Sequence, residues 1–266
     1  MEKHSPPNQQ AEIPPQERSR LIALFNAGRY AELENLAHRL AEKNPNSGFI
    51  QKVLGAALQA QGKDALRTLR KAAALRPNDA ETHNALGAAL RDAGKLDDAA
   101  ASYRKALEIN PDYPEAFNNL GIVLHDLNLF NDAIDCLRQS LLIRSDYPQA
   151  HNNLGNSFHS LKRYQEAIES YEQALALQPD YPEAHNNLGN SLQGLGRFPE
   201  AIASYLHALT LRPNYPDAHN NLGGALRDLG RIDEAIKSYD QALSLKPDYV
   251  EALCNRGDAL QETGRI

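Results

Sequence analysis

Pairs of carboxamides recur through this chain at a fixed interval. "HNNLG" stands at His151–Gly155, His185–Gly189 and His219–Gly223, with "FNNLG" at Phe117–Gly121 and "HNALG" at His83–Gly87. An asparagine side chain carries two N–H donors and an acceptor oxygen, the same kinds of group as a peptide bond. Evenly spaced, such side chains can hold the backbone of an extended chain without reading its side chains closely. The candidate contacts form two columns. One holds Asn84, Asn118, Asn152, Asn186 and Asn220, and the other Asn119, Asn153, Asn187, Asn221 and Asn255.

Other chemistry finds less support. His151, His185 and His219 recur once per interval, too dispersed to share a metal with Zn–N bonds of ~2.1 Å. They read as packing residues, and no metal or cofactor is expected. "GNSLQG" lacks the second glycine of a nucleophile elbow. "GKDALRTL" lacks the Ser/Thr and the preceding glycine of a phosphate loop. "GLGRFP" has no strand before it, as a dinucleotide loop needs. Catalysis is not expected of this chain.

The interval itself sets the architecture. Gly87, Gly121, Gly155, Gly189, Gly223 and Gly257 fall 34 residues apart, as do Ala99, Ala133, Ala167, Ala201 and Ala235 and, in a third series, Tyr113, Tyr147, Tyr181, Tyr215 and Tyr249. Such a period marks an array of repeats in which each unit packs on its neighbours. Bulk properties narrow the partners. With 34 acidic against 28 basic residues and a net charge of -6, the chain offers no basic track for nucleic acid. No apolar run approaches the roughly 20 residues that cross a bilayer. The lead-in "MEKHSPPNQQAEIPPQ" lacks the apolar segment of a signal peptide and has the composition of a disordered segment. Cys136 and Cys254 lie in distant repeats and read as free thiols of a reducing, cytoplasmic setting.

In residues 182–215, numbered 1 to 34, small or apolar residues fall at 3, 4, 7, 8, 10 and 11 and again at 20, 21, 24, 27 and 28. Both sets have helical spacing, and the glycine-bearing turn "GLGRFP" divides them. Asp180 with Glu183, Asp112 with Glu115 and Asp248 with Glu251 give a D-x-x-E pattern, which predicts a capping box at each following helix start. Pro213 ends the second helix. Each unit is predicted to be an antiparallel helix pair.

Gly at position 8, Ala at 20, an aromatic at 24, Ala at 27 and Pro at 32 resemble the tetratricopeptide repeat. That resemblance implies an all-α fold, a right-handed superhelical α-solenoid of about seven units with a concave groove lined by the first helices. The family's Trp at position 4 is replaced by His83, Phe117, His151, His185 and His219. Residues 1–13 are expected to be disordered and 14–79 to form two degenerate repeats, with Leu21 in place of the position-8 glycine. Residues 80–249 form five regular repeats, and 250–266 the first helix of an incomplete one. Because that unit stops after "ETGRI", where "DLGRI" continues into "DEAIKSY", the native protein is expected to continue with a further helix.

At ~100° per residue, positions 4, 7, 8 and 11 share the packed side of the first helix and positions 5 and 6 the opposite side. Both Asn columns are therefore expected on the free face. There, Asn is a poorer helix former than Glu, Lys or Ala by a few tenths of a kcal/mol. Two explanations stay open: the columns bind an extended partner, or they bond across repeats and fix the superhelix. The family's carboxylate-clamp pattern, with Lys at position 5, is absent. The phrases "AHNNLG" and "YPEAHNNLGN" are most similar to the repeat arm of O-linked N-acetylglucosamine transferases and SPINDLY-like proteins. That likeness implies backbone binding by Asn119, Asn153, Asn187, Asn221 and Asn255; Ala85 and Val53 depart from it. Three functions follow: the substrate-binding arm of a larger glycosyltransferase with its catalytic domain downstream, a free-standing protein scaffold, or a self-assembling array.

Overall fold

The computed structural model describes residues 13–265. The disorder expected over 1–13 thus concerns, Ile13 apart, residues outside those described. Among the described residues there are fifteen helices and no strand. They are α1 (Pro15–Asn26), α2 (Tyr30–Lys43), α3 (Gly48–Ala60), α4 (Leu66–Leu75), α5 (Ala80–Asp92), α6 (Leu96–Ile109) and α7 (Pro114–Asp126). The second group is α8 (Phe130–Ile143), α9 (Pro148–Ser160), α10 (Tyr164–Leu177), α11 (Pro182–Gly194), α12 (Phe198–Leu211), α13 (Pro216–Asp228), α14 (Ile232–Leu245) and α15 (Val250–Glu262). The fold is an α-solenoid of helix-turn-helix repeats. It divides into two compact units, residues 1–127 and 128–266.

Helix starts differ from the expectation. The capping boxes do not form: Tyr113, Tyr181 and Tyr249 are the N-cap residues, none with a side-chain cap bond. Each Asp lies one residue too far out. In α7, α9, α11 and α13 a proline at the first helical position starts the helix instead, because its fixed φ suits the first turn and its missing N–H has no partner to lose. Side-chain caps occur nearer the N-terminus, where Ser47 accepts from the Ile50 N–H at 3.4 Å and Asp79 from the Thr82 N–H at 3.0 Å.

The turns follow the expectation. Gly196 takes φ +72°, and the Arg197 N–H reaches back to the Leu192 carbonyl at 2.9 Å. That is the left-handed helix ending that glycine favours. Asn128 (φ 61°) and Lys162 (φ 59°) adopt the same conformation without being glycine.

The position-8 glycines answer to space rather than to backbone conformation. Tyr171, Tyr205 and Tyr239 at position 24 are at most 1% exposed. A Cβ on Gly155, Gly189 or Gly223 would lie 2.5 Å from the Cε1 of the facing ring. Ala201 and Ala235 at position 20, with Ala208 and Ala242 at position 27, are fully buried and let the paired helices approach closely. Leu192, Ile202, Leu222, Leu226 and Ile236 join Tyr205 and Tyr239 in one core running from α11 to α14.

Candidate protein-binding face

First helices of successive repeats lie side by side: α9 against α11, α11 against α13 and α13 against α15 in the second unit, and α5 against α7 in the first. The Asn columns sit along these seams. The Asn187 Nδ2 donates to Asn152 Oδ1 at 3.2 Å, Asn221 to Asn186 at 3.1 Å, and Asn255 to Asn220 at 3.0 Å. In the first unit Asn119 donates likewise to Asn84 at 3.1 Å. Each bond runs from position 6 of one repeat to position 5 of the repeat before it.

The two columns therefore differ. Position 6 (Asn119, Asn153, Asn187, Asn221 and Asn255) is half-buried. Position 5 does not stand free, contrary to the expectation: Asn118, Asn152, Asn186 and Asn220 are 2–5% exposed, and Asn84 is half-buried. A helical wheel accounts for the partner hairpin but not for the next first helix, and it is that helix which covers position 5. A carboxamide buried there requires partners. The position-6 bonds supply one. Tyr113 lies near Asn84 and Tyr249 near Asn220, while Asn220 Nδ2 also donates to Glu251 Oε1 at 3.1 Å.

Positions 9 and 12 extend the network toward the core. The buried Tyr171 hydroxyl donates to Asn156 Oδ1 at 2.8 Å, and that oxygen also accepts from Asn187 at 3.1 Å. Tyr205 donates to Asn190 Oδ1 at 2.7 Å and lies 3.0 Å from Gln193 Oε1. Burial pushes both phenols well above their ordinary range. His159 Nδ1 lies 2.9 Å from Ser191 Oγ, and burial holds its imidazole below the usual value. Arg227 is paired, its Nε 2.8 Å from Glu262 Oε1 and its Nη1 3.4 Å from Asp258 Oδ2.

The position-4 histidines each engage the preceding loop. The Nε2 atoms of His151, His185 and His219 lie 3.0, 2.9 and 3.0 Å from the carbonyls of Ser145, Pro179 and Pro213. A carbonyl only accepts, so Nε2 carries the proton.

What the sequence pattern left unread is the position-34 tyrosine as a neighbour of position 5, although its 34-residue period was visible.

A TPR repeat family model matches residues 87–128, 155–196, 194–226 and 223–264, and a tetratricopeptide repeat model matches 115–145. The chain belongs to the TPR repeat family. No curated protein matches it. Among solved structures, the APC/C hetero-tetramer Cut9–Hcn1 is similar at 20% identity over 90% of this chain, with a TM-score of 0.78. This TPR chain spans 48% of the matched chain. YrrB, a TPR protein with an unusual peptide-binding site, is 23% identical over 71% of this chain and 97% of its own, with a TM-score of 0.57. TTC0263, a thermophilic TPR protein of Thermus thermophilus, is 25% identical over 68% of this chain and 99% of its own, at 0.58. No described helix is long and apolar enough to cross a membrane.

Proposed function

We propose that this TPR chain is a protein-interaction module whose first-helix face holds an extended segment of a partner protein through the position-6 asparagines. The observation that carries the reading is the seam itself. Asn187, Asn221 and Asn255 each donate through Nδ2 to the preceding helix, which fixes the carboxamide. Asn221 and Asn255 keep a second N–H, Asn187 gives its own to Asn156, and all three keep acceptor capacity for a ligand. Groups fixed before binding lose less conformational freedom on binding. Adjacent helices lie ~8–10 Å apart and an extended chain rises ~3.3 Å per residue, so one asparagine meets about every third partner residue. Likeness to YrrB supports peptide binding as a use of this fold. The position-5 asparagines contribute by orienting position 6.

A narrower reading makes the module the substrate-binding arm of an O-GlcNAc-transferase-like enzyme with catalysis outside this chain. The paired asparagines within "AHNNLG" support it, and a reading frame that continues into an α/β catalytic region would bear it out. A free-standing scaffold or a self-assembling array is the alternative. A cytoplasmic setting is part of the reading, supported by the exposed Cys254 thiol.

The test selects binders from a random-peptide display library and measures one by fluorescence anisotropy. Single Asn→Ala changes remove ~0.5–1.5 kcal/mol per hydrogen bond. Replacing Asn153, Asn187 and Asn221 together with Ala should weaken binding at least about tenfold. Thermal unfolding of the same variant reports the seam's part in stability. Unchanged affinity with a lowered midpoint would assign the asparagines to repeat–repeat packing alone.

A further inference from the structure

At the C-terminal end of this face lies a recess of about 240 Å³, lined by α11, α13, α14 and α15. Position 9 opens it. Asn156 and Asn190 fill that position in the two preceding repeats, each accepting from a core tyrosine hydroxyl. Gly224 stands there in α13, and a Cβ added to it would meet nothing closer than Gln193 Nε2 at 3.5 Å. The facing Tyr239 is 1% exposed and lines the recess, yet among the described residues its hydroxyl has no hydrogen-bond partner. A phenol otherwise sealed in the core thus opens onto a cavity where Gly224 replaces the asparagine that satisfies Tyr171 and Tyr205, whereas Tyr103, which also lacks that asparagine, stays sealed.

The remaining walls are acceptors. Asp228 and Glu251 line the recess with the carboxamides of Asn221 and Asn255. Gln193 Nε2 donates to one Asp228 oxygen at 2.7 Å, and Asn220 to one Glu251 oxygen at 3.1 Å. Each carboxylate keeps further lone pairs. The one cation in the lining, Arg227, is already held by Glu262 and Asp258. The volume falls below the ~300–1,000 Å³ of sites for drug-sized ligands and suits a single side chain. An ammonium group brings three donors to such a ring of acceptors.

We propose that this recess is a specificity pocket for a lysine side chain of the bound segment. The proposal deepens the groove reading and rests on it for the source of the lysine. The carboxamides hold backbone wherever a first helix presents one, while the recess fixes register by accepting a lysine at one repeat only.

The test uses the full chain and a single-residue probe, Nα-acetyl-lysine methylamide, with the glutamine analogue as control. Nuclear magnetic resonance follows the Gln193 side-chain amide and the Tyr239 ring. The lysine probe should shift both signals at concentrations near about 1 mM, with an affinity about tenfold above that of the glutamine probe. Gly224→Asn should abolish the shifts. It fills the recess and gives Tyr239 the partner that Tyr205 already has, so the fold is kept or strengthened, and an unchanged or raised unfolding midpoint confirms this. Equal shifts from both probes, no shift from either, or shifts that persist in Gly224→Asn would overturn the proposal. Library peptides that still bind in those cases leave the groove reading intact. Lysine-probe binding alongside failure of every peptide would sink the groove reading and keep the pocket.

Discussion

The α1–α2 hairpin and the α11–α12 hairpin solve one packing problem with opposite side chains. In α11–α12 the first helix offers Gly189 and the second a fully buried Tyr205. Counted from residue 14, the corresponding positions of α1–α2 hold Leu21 and Ala37, both with no exposed surface. Large and small have changed sides. The repeat is therefore specified by a combined volume between its helices rather than by a glycine as such. Interiors packed to crystal-like density permit that exchange when both sides change together and resist it when only one does.

The sharpest way to break the comparison is to change one side. Gly189→Leu should lower the stability of the second unit by ~3 kcal/mol or somewhat more, because its Cβ alone would press on a ring that has no room to move. Tyr205→Ala should cost ~3–5 kcal/mol through the cavity it leaves. The double variant rebuilds the α1–α2 arrangement and should recover more than half of the summed loss. Urea unfolding followed by circular dichroism measures all three, and strictly additive losses would refute volume complementarity.

A second contrast lies between two tyrosines at the same position. Tyr205 has hydrogen-bond partners in Asn190 and Gln193, whereas Tyr103 is equally buried and its hydroxyl has none. Position 9 in that repeat is Ala88. Removing a satisfied hydroxyl and removing an orphaned one have different consequences. Tyr205→Phe should cost about 1 kcal/mol, while Tyr103→Phe should be neutral or stabilising. Ala88→Asn should stabilise only while Tyr103 keeps its hydroxyl. The double-mutant cycle of Ala88→Asn with Tyr103→Phe reads that coupling, and zero coupling would mean the two groups never meet.

Period and residue type carried most of the fold. The spacing of Gly189, Ala201 and Tyr205 placed two helices, their turn and their shared face, because those residues answer to forces inside one hairpin. The helix starts were misread because Asp180 suits a cap by chemistry, yet Pro182 sets the first turn by geometry. The seam was half legible. Asn152 and Asn187 are 35 residues apart, one more than the repeat, and that extra residue is the step from position 5 to position 6 of the next helix. Nothing within a single helix shows that position 5 is covered, since the covering helix belongs to the following repeat. The recess is a difference between repeats, Gly224 against Asn190, and averaging the copies into one pattern conceals it.

The smallest expected effect separates α11–α12 from its neighbour α13–α14 by pH. His185 stacks on His207 with ring centroids 4.3 Å apart, whereas Gln241 stands at the equivalent position beside His219. Burial, and to a lesser degree the charge of His207, pushes the His185 imidazole below its ordinary value, against the opposing pull of the Pro179 carbonyl and Asp180. A folded state that protonates less readily than the unfolded chain loses stability once the unfolded value is crossed on acidification. The loss starts as pH falls through about 6.5 and levels off below the depressed folded value. His185→Gln can still donate to the Pro179 carbonyl while carrying no titrating group. It should therefore flatten the decline in unfolding free energy between about pH 7 and 5 and leave stability at neutral pH nearly unchanged. A slope identical to that of the unaltered chain would assign the acid sensitivity to other groups, with the buried His159 next to be replaced.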